Sequence, residues 1–232
     1  MAGCAKIAID CTATKMVSYT VLADFDLAEN YTDNNLQIAV KETFEQFRLD
    51  YYPERTDPKF GVSPRVIMEK TLTSCKQYAE VFCQGVGNLM FTGGTGLGKT
   101  FLSACIANAV TDRGFSVAYE SAPHLFAKLE KNRFNPDEES RRQAAKFNDC
   151  DLLIIDDLGT EMPGSFVTAA LYSLLNDRLL AGKSMIVSTN LTAAELAQRY
   201  SPQIASRLQG SFKGLTFVGE DIRLMKNRGV TF

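Results

Sequence analysis

The feature that most constrains this chain is a glycine cluster set between two apolar runs. The stretch over 88–104 reads NLMFTGGTGLGKTFLSA. The apolar run before the glycines predicts a strand over 88–92, and the run after them predicts a helix over about 99–110. The segment between the two matches the pattern G-x-x-x-x-G-K-[ST] in register. A strand, a glycine-rich loop and a helix in this order predict an α/β fold.

The glycines of this loop indicate that it wraps a phosphate chain. Such a loop turns its amide N–H groups inward, with backbone angles that a Cβ atom disfavours, and the start of the next helix adds a positive dipole. Lys99 is then placed to reach the β- and γ-phosphates, and the Thr100 hydroxyl to ligate Mg²⁺. The predicted nucleotide-binding residues are Gly93, Gly94, Thr95, Gly96, Leu97, Gly98, Lys99, Thr100 and Phe101.

A second signal is an apolar run that ends in two acidic residues, DLLIIDDLG. The run predicts a buried strand over 152–155, and ligands bind at the C-terminal ends of strands in open parallel sheets. Asp156 is therefore predicted to hold Mg²⁺ together with Thr100, and Asp157 to orient or deprotonate the attacking water. The alternative is a strand that ends in an Asx turn, and the phosphate loop on the same chain favours the site.

A third signal, SMIVSTN, repeats this logic. It predicts a buried strand over 184–188 that is followed by polar residues. We expect Asn190 to hydrogen-bond the γ-phosphate or the water, with Thr189 as the next candidate. The open alternative is that Asn190 caps the turn before Thr192.

Composition limits the remaining possibilities. The 232 residues, 45% of them hydrophobic, suit one domain of moderate size with an extra segment. The net charge of −2 excludes a global basic field, so DNA contact would need a local patch. No apolar run reaches the ~20 residues of a membrane span, and the N-terminus lacks a signal-peptide pattern. We expect a cytoplasmic protein without membrane contact.

The six cysteines are scattered singly, and His124 is the only histidine. This pattern favours reduced thiols over a zinc site, which would need distant partners. Cys105 and Cys150 are expected on apolar faces, where free cysteine behaves as a small hydrophobe.

Apolar strands alternate with helices along the chain, which predicts a parallel sheet covered on both faces. The other predicted strands cover 116–120 and 214–219. The other predicted helices cover 40–47, 66–83 and 166–180, with one starting near Pro123 and another opened by the capping box Thr192–Glu195. A proline-rich linker is predicted over 51–65.

The ordered motifs resemble those of AAA+ ATPases of the DnaC/DnaI type, the bacterial replicative helicase loaders. The motifs are GGTGLGKT between a strand and a helix, LLIIDDLGTE, STNL, QIASRLQG and FVGEDIR, and the resemblance covers about residues 47–223. It implies a P-loop NTPase fold of the AAA+ type, three layers (α/β/α) with a five-stranded parallel sheet and little or no C-terminal lid. It also implies two parts: residues 1–46 as a short N-terminal segment, a remnant for partner binding, and residues 47–232 as the ATPase domain.

The resemblance adds roles for two arginines. Arg207 matches the arginine finger that reaches the γ-phosphate held by a neighbouring subunit, and a guanidinium stabilises charge on a transferring phosphoryl group. A solvated helix arginine is the alternative. Arg223 matches a second sensor arginine that contacts the same subunit's nucleotide. Arg178 is expected either to face a neighbouring subunit or to form a surface salt bridge. The predicted catalytic set is Lys99, Asp156, Asp157, Asn190 and Arg207.

Two departures from the family pattern matter. Most AAA+ proteins have Glu where this chain has Asp157, one methylene shorter, which suits slow hydrolysis, and Glu161 is a candidate to compensate. In addition, the segment before residue 47 is short, with only Cys4 and Cys11 available for a metal, and this weakens the partner prediction more than the ATPase prediction.

The resemblance implies ATP and Mg²⁺ as cofactors. It also implies three kinds of partner: a hexameric DnaB-type replicative helicase, single-stranded DNA, and further copies of this chain across ATP-bridged interfaces. DNA contacts are expected over 125–147, and a plain solvated helix pair is the alternative because acidic residues offset the cations. The candidate contacts are Lys128, Lys131, Arg133, Arg141, Arg142, Lys146, Phe126 and Phe134.

Three other functions stay open. The first is an IstB-type transposition helper that acts with a transposase. The others are a small-molecule phosphotransferase and a nucleotide-binding adaptor that barely hydrolyses ATP. Adenine is the expected base, with Phe47 and Tyr51 near it.

Overall fold

The computed structural model describes residues 42–227, with side chains up to Met225. The N-terminal segment predicted over 1–46, including Cys4 and Cys11, therefore lies almost entirely outside the described residues.

The described chain forms a five-stranded parallel sheet, as predicted. The strands are β1 (Asn88–Thr92), β2 (Val117–Ser121), β3 (Leu152–Leu158), β4 (Ser184–Thr189) and β5 (Phe212–Thr216). Their spatial order is β2-β3-β4-β1-β5, and all four pairings are parallel. The C-terminal ends of β1, β3 and β4, at the centre of the sheet, thus meet at one edge.

Helices cover both faces of this sheet. Within the described residues they are α1 (Pro64–Glu80), α2 (Lys99–Asp112), α3 (Ala122–Phe134), α4 (Glu138–Asp149), α5 (Ser165–Leu180), α6 (Ala193–Arg199), α7 (Pro202–Ser211) and α8 (Ile222–Asn227). Two short 3-10 turns, Phe44–Gln46 and Leu49–Tyr51, precede α1.

Two apolar clusters lie on the two sides of the sheet. One contains Leu152 and Ile154 of β3 and joins α1, α2 and the segment before them. The other contains Leu153 and Ile155 and joins α3 to α7. Alternate side chains of one strand enter opposite layers because the strand has a period of two. The predicted three-layer α/β/α architecture is confirmed.

Most element boundaries lie close to the predictions, with two strands displaced. β3 continues through both aspartates to Leu158, and β5 begins at Phe212, ahead of the predicted 214. β3 extends because its pairing with β4 continues beyond the apolar residues. β5 is shifted and ends at Thr216, because its five residues pair with the five residues of β1. The predicted helix over 40–47 is, in its described part, only the turn at Phe44–Gln46.

Local end signals explain several helix boundaries. Ser63 accepts a hydrogen bond from the Val66 N–H at 3.4 Å, and Pro64 occupies the first turn, so α1 begins before the predicted residue 66. Gly114, with φ +86°, follows the end of α2, as predicted. The capping box of α6 is confirmed.

The cysteines of the described residues are free thiols. Cys105 and Cys150 are buried, as predicted, and so is Cys75. Burial raises the pKa of the Cys105 thiol to about 12, which keeps it protonated and poorly nucleophilic. None of the described helices is long and apolar enough to cross a membrane.

Among the residues that the structure describes, Arg178 is the largest fully buried side chain, with 1% of its surface exposed. Its guanidinium donates hydrogen bonds to the carbonyl oxygens of Phe147 (2.7 Å), Asn148 (3.2 Å) and Ser184 (2.7 Å). The prediction that Arg178 faces a neighbouring subunit or a surface partner is therefore wrong. The side chain instead ties the last turn of α4 to the start of β4, because carbonyls at a helix C-terminus lack partners within the helix.

Replacing Arg178 by Met should destabilise the fold. Two buried carbonyl oxygens and one that is partly buried would lose this donor, and we expect the free energy of unfolding to fall by about 2–4 kcal/mol. Urea denaturation followed by circular dichroism measures this. The control is Arg142→Met, since Arg142 is exposed and its nearest acidic oxygen lies at 3.9 Å; it should change stability by less than about 0.5 kcal/mol. Equal stability of the two variants would contradict the assigned role.

Candidate nucleotide-binding site

The loop between β1 and α2 uses backbone conformations that favour glycine. Gly93, Gly96 and Gly98 have φ values of +139°, +72° and +89°. A Cβ atom would also overlap the Phe217 carbonyl at Gly93 and the Asp221 carboxylate at Gly96. Gly93 and Gly96 are thus favoured both by conformation and by close neighbours, and a loop of this kind can turn its amides toward an anion.

Two segments hold this loop from outside. The buried Tyr52, in the segment before α1, donates its hydroxyl to the Leu97 carbonyl oxygen at 2.8 Å. From the other side, the Ile222 N–H donates to the Gly96 carbonyl oxygen at 3.0 Å. We call residues 47–54 the strap. Phe47, at its start, stacks on Tyr52 with ring centroids 5.7 Å apart, so the strap forms an aromatic wall behind the loop.

Lys99 lies in the centre of the site with 5% of its surface exposed. Its ammonium group donates to the carbonyl oxygens of Gly93 (2.8 Å) and Gly94 (2.6 Å) and to Asn190 Oδ1 (2.5 Å). Burial lowers the pKa of Lys99, while the negative charges of Asp157 and Asp156 act in the opposite direction. The loop, β3 and β4 therefore converge on one buried cation.

Asp156 is held through both of its carboxylate oxygens. The Tyr119 hydroxyl of β2 donates to Oδ2 at 2.9 Å, and the Ser188 hydroxyl of β4 donates to Oδ1. Neither partner was predicted as a site residue. The available signal was a polar residue close to the C-terminal end of an otherwise apolar strand, in VAYES and in SMIVST.

Asp157 lies beside Asp156 and closer to solvent. Burial, followed by the negative charge of Asp156, raises the pKa of Asp157. Its backbone takes the left-handed conformation, with φ +54°, and its N–H donates to Ser188 Oγ at 2.9 Å. A raised pKa makes this carboxylate a stronger base than an ordinary aspartate.

The two polar residues that follow β4 have different positions. Asn190 is exposed and lies against the loop, since its amide also donates to Thr95 Oγ1 at 3.4 Å. Thr189 is buried, and its hydroxyl donates to the Leu158 carbonyl oxygen at 2.6 Å. The hydroxyl that caps α6 belongs to Thr192. Asn190 is therefore the residue of this pair that can meet a phosphate.

The two predicted magnesium ligands, Thr100 and Asp156, would supply only part of the coordination shell of the ion. Thr100 has an exposed side chain in the first turn of α2, and the Tyr119 hydroxyl, which holds Asp156, lies 3.5 Å from the Thr100 carbonyl oxygen. The described residues contain no cluster of three or more metal-binding side chains. Mg²⁺ is typically held by one or two protein oxygens together with phosphate oxygens and water. The donor set of Thr100 and Asp156 is consistent with that arrangement.

Glu161 does not compensate for the short side chain of Asp157. Its carboxylate is buried, accepts hydrogen bonds from the Tyr200 hydroxyl at 2.5 Å and the Gly159 N–H at 2.9 Å, and pairs with Arg199 at 3.2 Å. These contacts join the loop after β3 to α6. Because its oxygens are already bonded, Glu161 has a structural role, and the suggestion that it activates water is wrong for this arrangement.

The two predicted arginines lie in different places. Arg207 is half-buried on α7, with its guanidinium 4.5 Å from the centre of the Tyr172 ring and hydrogen bonds to the Tyr172 hydroxyl (3.0 Å) and Asn176 (3.3 Å) of α5. Arg223 is exposed at the start of α8. The neighbouring Ile222 N–H donates to the Gly96 carbonyl oxygen at 3.0 Å, so Arg223 lies on the phosphate-loop side. The contacts of the Arg207 side chain are instead with Tyr172 and Asn176 of α5.

The strap borders a cavity that is a candidate pocket for the base. A cavity of about 410 Å³ opens between the strap and α8. Its lining consists of Asp50, Tyr51, Tyr52, Pro53, Glu54, Arg65 and Met225. Of the two residues expected near the base, Tyr51 lines this cavity, whereas Phe47 packs against Tyr52 and Phe101.

The region predicted to contact DNA is formed by α3 and α4. Phe126 is buried, so its predicted stacking role is wrong, whereas Phe134 is 69% exposed and packs on Phe166 with ring centroids 5.6 Å apart. Several cations pair with acidic residues: Lys128 with Glu120, Lys131 with Asp137, and Arg142 with Glu139. Much of the positive charge is therefore offset locally.

The sheet order, the phosphate loop and the acidic residues at the end of β3 define a P-loop nucleotide-binding domain of the AAA+ type. The chain belongs to the family of IstB-like ATP binding proteins, whose model matches residues 37–208. Family membership makes ATP the nucleotide for this loop.

Two kinds of relative are similar to the chain. Replicative helicase loader DnaC of Escherichia coli (strain K12) is 22% identical over 138 residues, which cover 60% of this chain and 56% of the loader. The insertion sequence IS21 putative ATP-binding protein of Pseudomonas aeruginosa is 25% identical over 194 residues, which cover 81% of this chain and 66% of that protein. The chain thus matches little more than half the length of the DnaC loader.

Solved structures agree on the fold. The DnaC helicase loader superposes with a TM-score of 0.61 at 20% identity and covers 75% of this chain and 98% of its own. DnaI superposes with a TM-score of 0.64 at 18% identity and covers 78% of this chain and 94% of its own. At these identities the likeness shows the fold alone, and it confirms the predicted AAA+ type.

A methyl group at Gly96 should disable the loop, whereas one at Gly85 should not. Both residues have positive φ, so each Gly→Ala change carries a similar left-handed strain of about 1–2 kcal/mol. At Gly85 the methyl group meets open space, but at Gly96 it meets the Asp221 carboxylate, which the Arg223 N–H holds in place at 2.9 Å. We expect Gly96→Ala to weaken binding of a fluorescent ATP analogue by at least about tenfold, equivalent to about 1.4 kcal/mol. Similar affinities for both variants would contradict the close packing of the loop.

Proposed function

We propose that this protein is an ATP-driven switch that loads or remodels a hexameric replicative helicase on single-stranded DNA. The observation that carries the proposal is the convergence of the loop, the acidic pair and Asn190 on Lys99 at one edge of the sheet. Family membership supports ATP as the ligand, and the DnaC relatives support the helicase as partner.

The loop and Lys99 bind the phosphates. The amides of the loop face the anion, and the N-terminus of α2 adds a favourable dipole. Lys99 exchanges its contacts with the two loop carbonyl oxygens for phosphate oxygens. Because the ammonium is buried, its attraction for those oxygens is stronger than it would be in water.

Thr100 and Asp156 would hold Mg²⁺ beside the loop. When bound, this ion neutralises charge on the phosphate oxygens. Asp156 offers a lone pair on each oxygen after accepting one hydroxyl hydrogen bond at each, so both partners orient it without consuming its capacity to bind.

Asp157 and Asn190 act on the attacking water. Asp157 orients the water and accepts its proton, a role that the upward shift of its pKa favours. The side-chain amide of Asn190 lies beside the ammonium group of Lys99, where it can hydrogen-bond the same water or the γ-phosphate. The aspartate is one methylene shorter than the glutamate of most AAA+ proteins, which suits slow hydrolysis in a switch.

Arg207 supplies the finger for a neighbouring copy of the chain. It lies on α7 and is held by Tyr172 and Asn176, and a guanidinium has five donors, more than these contacts use. A finger supplied in trans makes hydrolysis depend on assembly. Copies of the chain then associate across ATP-bridged interfaces.

Single-stranded DNA binds along α3 and α4. The exposed aromatic side chain of Phe134 offers a stacking surface, and Arg133 and Arg141 lie near it in sequence as exposed cations. The local pairing of other cations with acids favours weak binding that strengthens through assembly.

An IstB-like transposition helper is the second candidate function. The family model that matches residues 37–208 is that of IstB-like ATP binding proteins, and the IS21 relative matches 81% of this chain. Such a protein uses the same ATPase site but acts with a transposase, so the partner separates the two functions.

The partner can be tested directly with the replicative helicase of the same host. The purified proteins are mixed with ATP, ADP or no nucleotide, and the mass of the complex is measured by light scattering after size exclusion. We expect a complex whose amount depends on the nucleotide, and Lys99→Ala should remove this dependence because it removes the phosphate contact. Absence of a complex under every condition would contradict the helicase proposal and favour the transposase.

The trans role of Arg207 can be tested by mixing two inactive variants. Arg207→Ala lacks the finger and Asp157→Asn lacks the base, so each alone should lose at least about a hundredfold in ATP turnover. In a mixed assembly, an intact site can meet an intact finger, and part of the activity should return. Arg55→Ala, at an exposed arginine, is the control. If the two variants assemble together and stay inactive, Arg207 does not act in trans.

A further inference from the structure

A break in strand register lies beside the acidic pair. β3 and β4 pair regularly up to Ile155 opposite Val187, and pairing resumes with Leu158 opposite Thr189. Between these pairs, two residues of β3, Asp156 and Asp157, stand opposite one residue of β4. This is a β-bulge, a feature that bends a strand and re-aims its side chains.

The bulge changes where the two carboxylates lie. On a regular strand, consecutive side chains point to opposite faces of the sheet. Here Asp157 takes the left-handed conformation, and it is the only non-glycine residue with a positive φ between residues 42 and 227. Both carboxylates consequently act on Lys99: although burial, the largest cause, lowers the pKa of Lys99, the charges of Asp157 and Asp156 both oppose that shift.

One hydroxyl group joins the two halves of the bulge. Ser188, the residue opposite the acidic pair, is fully buried. Its hydroxyl donates to Asp156 Oδ1, and its oxygen accepts the Asp157 N–H at 2.9 Å. A hydroxyl can do both because it has one donor and two acceptor sites. Ser188 thus orients a side chain and also satisfies the backbone amide of the strained residue.

Tyr119 provides an informative contrast. Its hydroxyl holds the other oxygen of Asp156 from β2, but among the described hydrogen bonds only Ser188 contacts both acidic residues. Loss of the Tyr119 hydroxyl therefore affects Asp156 and the 3.5 Å contact with the Thr100 carbonyl oxygen but leaves the hydrogen bond of Asp157 in place, whereas loss of the Ser188 hydroxyl affects Asp156 and Asp157 together.

We propose that Ser188 is a positioning residue that orients Asp156 toward Mg²⁺ and holds the bulge that turns Asp157 toward the phosphates. The role of Ser188 through Asp157 rests on the proposed ATP hydrolysis. The role of Ser188 through Asp156 concerns only the binding of Mg²⁺. Ser188 also precedes Asn190 by two residues on the same strand end. The acidic pair on β3 is therefore hydrogen-bonded to the same end of β4 from which Asn190 extends. These contacts hold the acidic pair and Asn190 in one arrangement.

The test compares four single variants of the full chain. Ser188→Ala removes the hydroxyl, Ser188→Thr keeps it, and Tyr119→Phe removes the other hydrogen bond to Asp156, together with the 3.5 Å contact to the Thr100 carbonyl oxygen, without touching Asp157. Ser103→Ala is the matched control, because Ser103 is equally buried and its hydroxyl has no hydrogen-bond partner. For each variant, the affinity for a fluorescent ATP analogue is measured with Mg²⁺ and with EDTA, and ATP turnover is measured at saturating Mg²⁺.

We expect Ser188→Ala to bind the analogue like the wild type in EDTA, because the phosphate loop is unchanged. The gain in affinity that Mg²⁺ provides should fall about 10–100-fold, the usual loss when a group that orients a metal ligand is removed. Turnover should remain low even at saturating Mg²⁺, since Asp157 has also lost its anchor. Ser188→Thr should restore both readouts, and Tyr119→Phe should lower turnover less than Ser188→Ala does.

Two results would overturn the proposal. In the first, Ser188→Ala keeps the same magnesium-dependent gain as Ser103→Ala. In the second, Ser188→Ala and Ser188→Thr lose affinity equally in EDTA, which would indicate a packing role. A wild-type chain that binds the analogue with Mg²⁺ but does not hydrolyse ATP would contradict the proposed function, and the magnesium titration would still decide the role of Ser188 on Asp156.

Discussion

The buried ammonium of Lys99 is the group around which the site is organised. A cation that is nearly excluded from water needs close oxygen partners, and here the loop carbonyl oxygens and the Asn190 side chain supply them. The negative charges of the acidic pair act on the same group. The loop follows β1, the acidic pair lies at the end of β3, and Asn190 follows β4. These three strands are adjacent in the sheet, and for this reason all of these groups can surround the Lys99 side chain.

The glycines of the loop and the β-bulge of β3 both direct polar groups into the same small volume, by different means. A site at the edge of a sheet needs backbone and side chains aimed at the same small volume, but regular strands and helices aim them by fixed periods. The loop meets this need with glycine residues at positive φ, whereas β3 meets it with a non-glycine residue, Asp157, in the same conformation. The second solution requires outside support because a Cβ atom makes it unfavourable. Ser188 supplies that support from the neighbouring strand.

The sequence was sufficient to predict the phosphate loop, the five parallel strands and the gathering of Lys99, Asp156, Asp157 and Asn190, because motif order and apolar runs carry that information. It did not reveal the bulge, since apolar patterns predict strands but not the register between two strands distant in sequence. Arg178 was placed at a surface, and Glu161 was offered as a substitute for Asp157, for a related reason: only the folded chain shows the carbonyl and hydroxyl groups that hold a buried charged side chain. The roles of Arg207 and Arg223 stay predictions.

The strap determines where the shortest fragment that keeps the nucleotide site can begin. Helix α1 and everything after it contain the whole sheet and nearly all of both apolar clusters, so a fragment that begins there would keep its layers. Such a fragment would lose Tyr52, and with it the hydroxyl that meets the Leu97 carbonyl oxygen and the ring that packs against Gly219. The architecture and the nucleotide cradle therefore have different N-terminal limits, and the cradle begins earlier in the chain than the sheet that supports it.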